Sequence, residues 1–510
     1  MAEVTVETTS GALRGTVEDG VCHFRGIPYA QAPVGVRRFR PPVPVEPWTG
    51  VRPAMSPAPI AVQLPSPLDQ MVAPATGLTL SEDCLALDVM TPGPDGGPRP
   101  VLVWIHGGAF LNGSGSSPWY DGSSLARRGD VVVVSINYRL GAFGFLHLAD
   151  LSGDEGYAGS GNAGLLDQLA ALAWVGENIA AFGGDPGNVT VFGESAGAMS
   201  IGALLGAPAA RGRFRRAIVQ SGAASNVHDR DRATAVARQV LDALGLGPGD
   251  ADRLQDVPAD DLLAAQGSVA ARASIAGLAF QPVVDGTVLP AEPLEAVAAG
   301  QAGDVNLLAG TNRDEMRLFV ALEPALADID HAGLAARLAE IFGPGAAEQA
   351  LATYQRGRDG KGAGEVWTAV LSDWVFRVPA VRLVERQAVH QPRTYLYLFT
   401  WASAAFGGRM GSCHALEIPF VFNTVDRPEV QLFTGPLTEE IATLARAVQD
   451  AWISFARHGR PGHPALPPWP AYDPATRLTM LLGDRCAVAA DPGGAELCLW
   501  DHRAPPDREP

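Results

Sequence analysis

The 510-residue chain sets 38 Lys and Arg against 55 Asp and Glu, a formal charge of -17 that argues against nucleic acid or an anionic membrane surface as a partner. With 47% apolar and 18% charged residues it can bury a large core, and no apolar run reaches the ~18 residues of a membrane span, so a soluble globular protein is expected. The start, MAEVTVETTSGALRG, lacks a secretory pattern, and the cysteines Cys22, Cys84, Cys413, Cys486 and Cys498 are odd in number and show no metal-type spacing; reduced thiols and a cytoplasmic location are expected.

Val4 to Val6, Ala12 to Val17 and Val21 to Arg25, parted by Ser-Gly and Asp-Gly turns, predict an antiparallel meander over about 4–25 that covers one edge of a sheet. From Arg38 to Pro74 the chain is dense in proline and is expected to cross the surface without regular structure. Val101 to Ile105 reads as a buried strand, ended by His106-Gly107-Gly108-Ala109-Phe110. Val131 to Asn137 is a second continuous apolar run of the kind found in parallel sheets covered on both faces. Leu165, Leu166, Leu169, Leu172, Val175 and Ile179 give Asn162 to Phe182 a helical spacing, completing an alternation of strand and helix typical of α/β proteins.

The stretch FGGDPGNVTVFGESAG, Phe182 to Gly197, reads as turn, strand over Val189 to Phe192, sharp turn, and helix from about Ala196. In Gly193-Glu194-Ser195-Ala196-Gly197 the glycines let strand and helix pass closely while Ser195 takes a strained conformation that exposes its oxygen. The run F-G-G-x4-V-x-V-x-G-x-S-A-G resembles the serine signature of the type-B carboxylesterase and cholinesterase family of α/β hydrolases. That resemblance implies an α/β-hydrolase fold: a large, mostly parallel central sheet with helices on both faces and helical insertions around an active-site gorge. It also implies a single catalytic domain over 1–510, Ser195 as nucleophile, and no cofactor and no metal.

Glu82-Asp83-Cys84-Leu85-Ala86-Leu87-Asp88-Val89 is similar to the family's second signature, with Ala86 where an aromatic or Thr is usual. Secreted relatives pair this cysteine with one shortly upstream; Thr49 to Ser81 contains none, so no such disulfide is expected. His106 to Phe110 resembles the family's oxyanion loop, whose N–H donors supply fixed countercharge when attack on an ester builds an oxyanion. The matching donors are Gly108 and Ala109, joined by Ala196, while His106 is expected to hold the loop.

Arg216 to Gln220 predicts another strand, and Ser221 after it resembles a family position that supports the buried acid. Asn226 to Phe280 is Ala/Leu-rich and helical in pattern, an insertion expected beside the active site. After a strand at Val305 to Ala309, Glu315 in Thr311-Asn312-Arg313-Asp314-Glu315 matches the triad acid, with Met316 replacing the usual glycine. Asp304 and Asp314 lie near the same strand; Asp314 is assigned a loop or helix-cap hydrogen bond. Helical segments are expected to about His390, then a strand from Thr394 to Thr400. Cys413 to Phe422 resembles the family's histidine segment and makes His414 the base; Thr438 to Arg457 reads as a long amphipathic closing helix, and 503–510 as a frayed tail.

The order Ser195, Glu315, His414 is that of α/β hydrolases. The expected activity is serine carboxylesterase: His414 activates Ser195, Glu315 orients His414, and water releases the acyl group. The base is expected to titrate near the ordinary histidine value of ~6.5. Glu194 and Glu417, near the triad in the family, are expected to form a second polar network. The same site could instead serve carbamate or amide hydrolysis or acyl transfer; a non-catalytic binding relative is disfavoured because such relatives lack the nucleophile. The expected partner is a small-molecule ester, and the expected state a monomer or weak homo-oligomer.

Overall fold

The apolar runs beginning at Val101, Val132 and Val189 are buried along their whole length, which only a sheet covered by helices on both faces permits. In the computed structural model, which describes residues 2–66, 77–273, 277–358 and 360–501, they join a 13-stranded sheet. In chain order the strands are β1 (Ala2–Thr8), β2 (Gly11–Glu18), β3 (Val21–Pro28), β4 (Val51–Pro53), β5 (Ala86–Thr91), β6 (Arg99–Ile105), β7 (Val132–Ile136), β8 (Gly184–Glu194), β9 (Arg216–Gln220), β10 (Asn306–Asn312), β11 (Thr394–Phe399), β12 (Leu478–Leu482) and β13 (Ala487–Ala490). In space they run β1-β2-β3-β5-β7-β6-β8-β9-β10-β11-β12-β13, with β4 beside β2. From β7 to β12 every neighbouring pair is parallel; β1 to β3, β5 and β13 attach antiparallel at the two sides.

Alternation along β6 divides the interior in two. Val101, Val103 and Ile105 enter one core and Leu102 and Trp104 the other, as the period of two in a strand requires. The first core is closed by the helix Ala163–Asn178 and by the helix Ala196–Gly206 that follows Ser195. The second is closed by Glu439–His458, which presents Leu444, Val448, Trp452 and Phe455. This closing helix starts where the sequence says it should: Thr438 accepts a hydrogen bond from Ile441 N at 3.2 Å, Glu439 and Glu440 occupy the positive first turn, and Gly459 ends it in a left-handed conformation.

The predicted meander is present as β1 to β3, and the tail 503–510 and the end of the proline-rich stretch, 67–74, lie outside the described residues. Strand β8 begins earlier than expected: Gly184 pairs with Arg99 and Val189 with Val101, so Asp185 to Asn188 bulge out of a ladder that resumes beyond them. Strands β4, β5, β12 and β13 are not apparent in the sequence pattern. β5 carries Asp88 at its centre, which is buried because it accepts from Gly26 N at 2.7 Å and Ser116 Oγ at 2.9 Å. No helix among the described residues is long and apolar enough to cross a membrane.

Candidate active site

Parallel strands put all their carboxyl ends on one side, and there the loops after β6, β8, β9 and β10 bring His106 to Phe110, Ser195, Ser221 and Glu315 together. Ser195 sits between β8 and its helix with φ 54° and ψ -125°, a conformation that costs about 1–3 kcal/mol for a residue with a side chain. It is pinned there by Ser195 N donating to Gln220 O and Met199 N donating to Ser195 O, at 2.9 and 2.8 Å. The flanking glycines are steric necessities. A Cβ on Gly193 would lie 2.6 Å from Ile105 O, and one on Gly197 2.0 Å from the same atom.

The oxyanion loop packs directly on this elbow. A Cβ on Gly107 would fall 2.9 Å from Glu194 Oε2 and 3.0 Å from Ser195 Cβ. Gly108, Ala109 and Phe110 follow with φ of 111°, 55° and 59°, and Leu111 N and Asn112 N fold back on Gly108 O. The fold of this loop commits Phe110 O to Gly141 N, yet the N–H groups of Gly108 and Ala109 have no acceptor among the described residues, nor does that of Ala196 at the helix start. His106 is buried against Tyr138 at 4.5 Å, with Nδ1 at 2.8 Å from Gly107 O, and burial lowers its pKa to about 4. It is a neutral brace for the loop. The helix Ala259–Ala270 of the insertion leans on the same support, since Gln266 Oε1 accepts from Ala142 N at 2.8 Å.

His414 lies opposite, against the rings of buried Phe376 and half-buried Phe319, with centroids at 4.8 and 5.1 Å. Its Nδ1 meets Glu315 Oε2 at 2.7 Å. The other oxygen of Glu315 accepts from Ser221 Oγ at 2.6 Å and Asn312 N at 2.7 Å, so this fully buried carboxylate has a partner on each side. Nε2 of His414 comes within 3.0 Å of Glu194 Oε1 but out of line for a hydrogen bond, leaving that oxygen without an aligned donor.

Glu417 closes a further network. It accepts from Gln220 Nε2 at 3.0 Å and Asn312 Nδ2 at 2.6 Å, and Trp452 Nε1 donates to Gln220 Oε1 at 3.0 Å. Burial, aided by the charges of Glu194 and Glu315, raises the pKa of Glu417 to about 8. Burial likewise raises that of Glu194. For His414 burial opposes the imidazolium, but Glu194 and Glu315 outweigh it and the pKa stands well above 6.5. The expectation of an ordinary histidine value is therefore corrected, because two carboxylates far apart in sequence flank one ring.

Every residue singled out for the site from the sequence, Ser195, Glu315, His414, Gly108, Ala109, Ala196, Glu194, Ser221 and Glu417, gathers in this one place. Asp304 does not: it precedes β10, at the opposite end of the strand. Asp314 turns away from His414 and accepts from Ser412 N at 2.9 Å, tying down the loop that leads to it. Gln220, Asn312, Phe319 and Phe376 are the additions. The first two are the polar final residues of β9 and β10, placed after the apolar stretches Ala217 to Val219 and Leu307 to Gly310, the one local signal that could have marked them.

A model of the carboxylesterase family matches residues 2–499. The chain is 43% identical over 501 residues to the para-nitrobenzyl esterase of Bacillus subtilis, covering 96% of this chain and 97% of that one. It is 38% identical to the phenmedipham hydrolase of Pseudarthrobacter oxydans, covering 95% and 96%. Among solved structures, a Geobacillus stearothermophilus carboxylesterase superposes with a TM-score of 0.88 at 42% identity, covering 98% of this chain and all of that one (100%). A PNB esterase gives 0.84 at 42% identity, covering 97% and 99%.

Proposed function

This chain belongs to the carboxylesterase family and is an esterase of the α/β-hydrolase fold; we propose that Ser195, His414 and Glu315 carry its reaction. Neutral His414 takes the Ser195 proton as Oγ attacks the ester carbonyl, and returns it to the departing alcohol. The N–H groups of Gly108, Ala109 and Ala196 stabilise the oxyanion, and His414 then activates the water that frees the acid and regenerates Ser195. Glu315 holds the Nδ1–H tautomer and stabilises the imidazolium. The observation that carries this reading is the 2.7 Å contact of His414 with a buried Glu315, on the same side of the sheet as a serine at φ 54°.

Glu194, Ser221 and Glu417 are assigned supporting roles: Ser221 fixes Glu315, Glu194 sets the charge at His414, and Glu417 holds Gln220 and Asn312 in place. A relative named para-nitrobenzyl esterase, and the aromatic rings of Phe319 and Phe376 beside His414, support esters of aromatic alcohols as substrates. Five unpaired cysteines, three of them buried, support a cytoplasmic enzyme; a monomer or weak homo-oligomer is proposed.

Labelling with a fluorophosphonate, followed by peptide mass mapping, tests the site. One adduct, on Ser195, with matching loss of para-nitrobenzyl acetate hydrolysis is expected. An adduct elsewhere, or full hydrolysis after complete labelling of Ser195, would sink the assignment. Comparison of the ester with its anilide separates reaction types: comparable turnover would move the reading to amide hydrolysis.

A further inference from the structure

The N–H groups of Gly108 and Ala109 can serve an oxyanion only if both point at it, and in a planar peptide the direction of an N–H follows the carbonyl across the same bond. Gly108 N shares its peptide with Gly107 O, which accepts from Nδ1 of neutral His106 at 2.8 Å. Ala109 N shares its peptide with Gly108 O, and that oxygen accepts from both Leu111 N and Asn112 N at 2.9 Å. The second half of the loop therefore aims the first. It also packs directly on it: a Cβ on Gly108 would fall 2.1 Å from Asn112 O, and one on Gly113 2.5 Å from Gly107 O and from His106 Nδ1.

What holds this second half comes from outside the sheet. Gln63 lies in the proline-rich stretch expected to cross the surface, yet it is only 8% exposed. Its side-chain amide meets both polar groups of the Gly113 backbone: Oε1 accepts from Gly113 N at 2.8 Å and Nε2 donates to Gly113 O at 3.0 Å. A neighbouring strand would exchange the same pair of bonds. Nε2 donates also to Ala61 O at 2.9 Å, which fixes the amide against its own backbone. The next residue adds a tie, Leu64 O accepting from Asn112 Nδ2 at 2.7 Å. This clamp has a firm base, since Ile60 N donates to Thr79 O and Ser81 N to Ile60 O, both at 2.9 Å. Gly113, at φ 109°, brings no side chain with which to anchor the limb itself.

We propose that Gln63 is a positioning residue for ester hydrolysis. By clamping Gly113 it keeps Leu111 N and Asn112 N on Gly108 O, and so keeps the Ala109 N–H turned toward the oxyanion. The inference rests on the assignment of Gly108 and Ala109 as oxyanion donors. Gln63 acts through the loop and not on the substrate. Loss of the clamp therefore leaves ground-state binding as it is and weakens whatever is bound only once the oxygen carries negative charge.

The test uses Gln63→Met, which keeps the length of the side chain and removes its hydrogen-bonding groups. Its kcat for para-nitrobenzyl acetate should fall about tenfold, less than the ~10²–10³ lost when an oxyanion donor is itself removed, with KM changed by less than about twofold. A benzyl trifluoromethyl ketone gives the second readout: Ser195 Oγ adds to its carbonyl carbon, the carbonyl π pair moves onto oxygen as an oxyanion, and the serine proton passes to His414. Its inhibition constant should rise by the factor by which kcat falls, while that of the product para-nitrobenzyl alcohol stays at the wild-type value. Gln63→Glu keeps the size and the acceptor for Gly113 N but loses both donors; the same parallel fall is expected, and this variant decides should Gln63→Met not fold. A lower Tm with kcat and ketone affinity unchanged overturns the proposal, and so does equal weakening of ketone and alcohol. Ketone affinity that is the same in wild type and Ser195→Ala overturns the assignment of the site, and this proposal with it.

Discussion

At the carboxyl ends of β8, β9 and β10 the chain buries three carboxylates, Glu194, Glu315 and Glu417, around one imidazole; at the starting ends of β9 and β11 it leaves arginines in the open. The backbone differs in the same sense. Ala109, Phe110, Ser195, Ser221 and Ala415 all take positive φ at the first end, whereas at the second Gly183 and Gly459 hold the left-handed positions next to β8 and β9, and only Asp130 before β7 and Arg477 before β12 are side-chain-bearing exceptions among the described residues next to the parallel strands. A glycine is the inexpensive solution wherever only a turn is wanted. Side chains are kept in strained conformations where the side chain itself, or a re-aimed N–H, is required, and the surrounding contacts must over-determine them. Buried carboxylates thus mark one end of a sheet whose two ends are otherwise built from the same parallel strands, and strained side-chain-bearing residues are concentrated there.

The largest break in this contrast is removal of the nucleophile. Ser195→Ala should cut para-nitrobenzyl acetate turnover by several orders of magnitude, since removal of a triad serine costs about 10⁶ in kcat in a well-studied protease. Its melting temperature should not fall, because the hydroxyl makes no hydrogen bond among the described residues and alanine releases no buried partner. Residual turnover near wild type would end the assignment. Next comes the acid. Glu315→Gln keeps the shape but favours the wrong imidazole tautomer, and at least ~10² should be lost in kcat. Asp314→Asn, whose carboxylate serves Ser412 N and two arginines instead of His414, should lose far less. The reverse ranking, at equal thermal stability, would move the acid to Asp314.

Asn312→Ala should act less strongly and differently. It takes the donor from Glu417 Oε2 and from Cys413 O, the carbonyl just before His414, while the backbone N–H to Glu315 is kept. A buried acceptor left unpaired costs about 1–3 kcal/mol, so a lower melting temperature is expected, together with roughly tenfold lower kcat and little change in KM. An unchanged kcat would show that Glu417 and the histidine loop do not depend on this amide.

The elbow was readable from the residues because two glycines, a strand and a helix constrain one another within a few positions, and Gly193 and Gly197 do sit where no Cβ fits. The acid and base were readable only through the family resemblance of their surroundings; nothing in periodicity distinguishes Glu315 from Asp314. Gln220 and Asn312 escaped notice since a polar residue that ends a strand has no pattern of its own, and its value appears only when β9 and β10 lie side by side. β12 and β13 are short, and the alanines of β13 carry little strand preference.

The pH profile tests the electrostatic half of the contrast, and its expected effect is the smallest. Only neutral His414 can accept the serine proton, so activity rises with pH as the imidazolium is lost. Burial alone would bring that loss to lower pH, but Glu194 and Glu315 stabilise the imidazolium more, and the rising limb for para-nitrobenzyl acetate should lie above 6.5. Glu194→Gln removes one of the two charges and keeps the side chain's size. The imidazolium is then less favoured, its pKa falls, and the limb should move toward acid, so that the variant keeps a larger share of its maximal rate at low pH. Glu417→Gln, whose carboxyl touches Gln220 and Asn312 and not His414, should move the limb less. A limb that stays in place or moves to higher pH in Glu194→Gln would mean that the 3.0 Å contact with Nε2 carries no net charge at the pH of catalysis, and that burial, not the neighbouring carboxylate, sets the titration of His414.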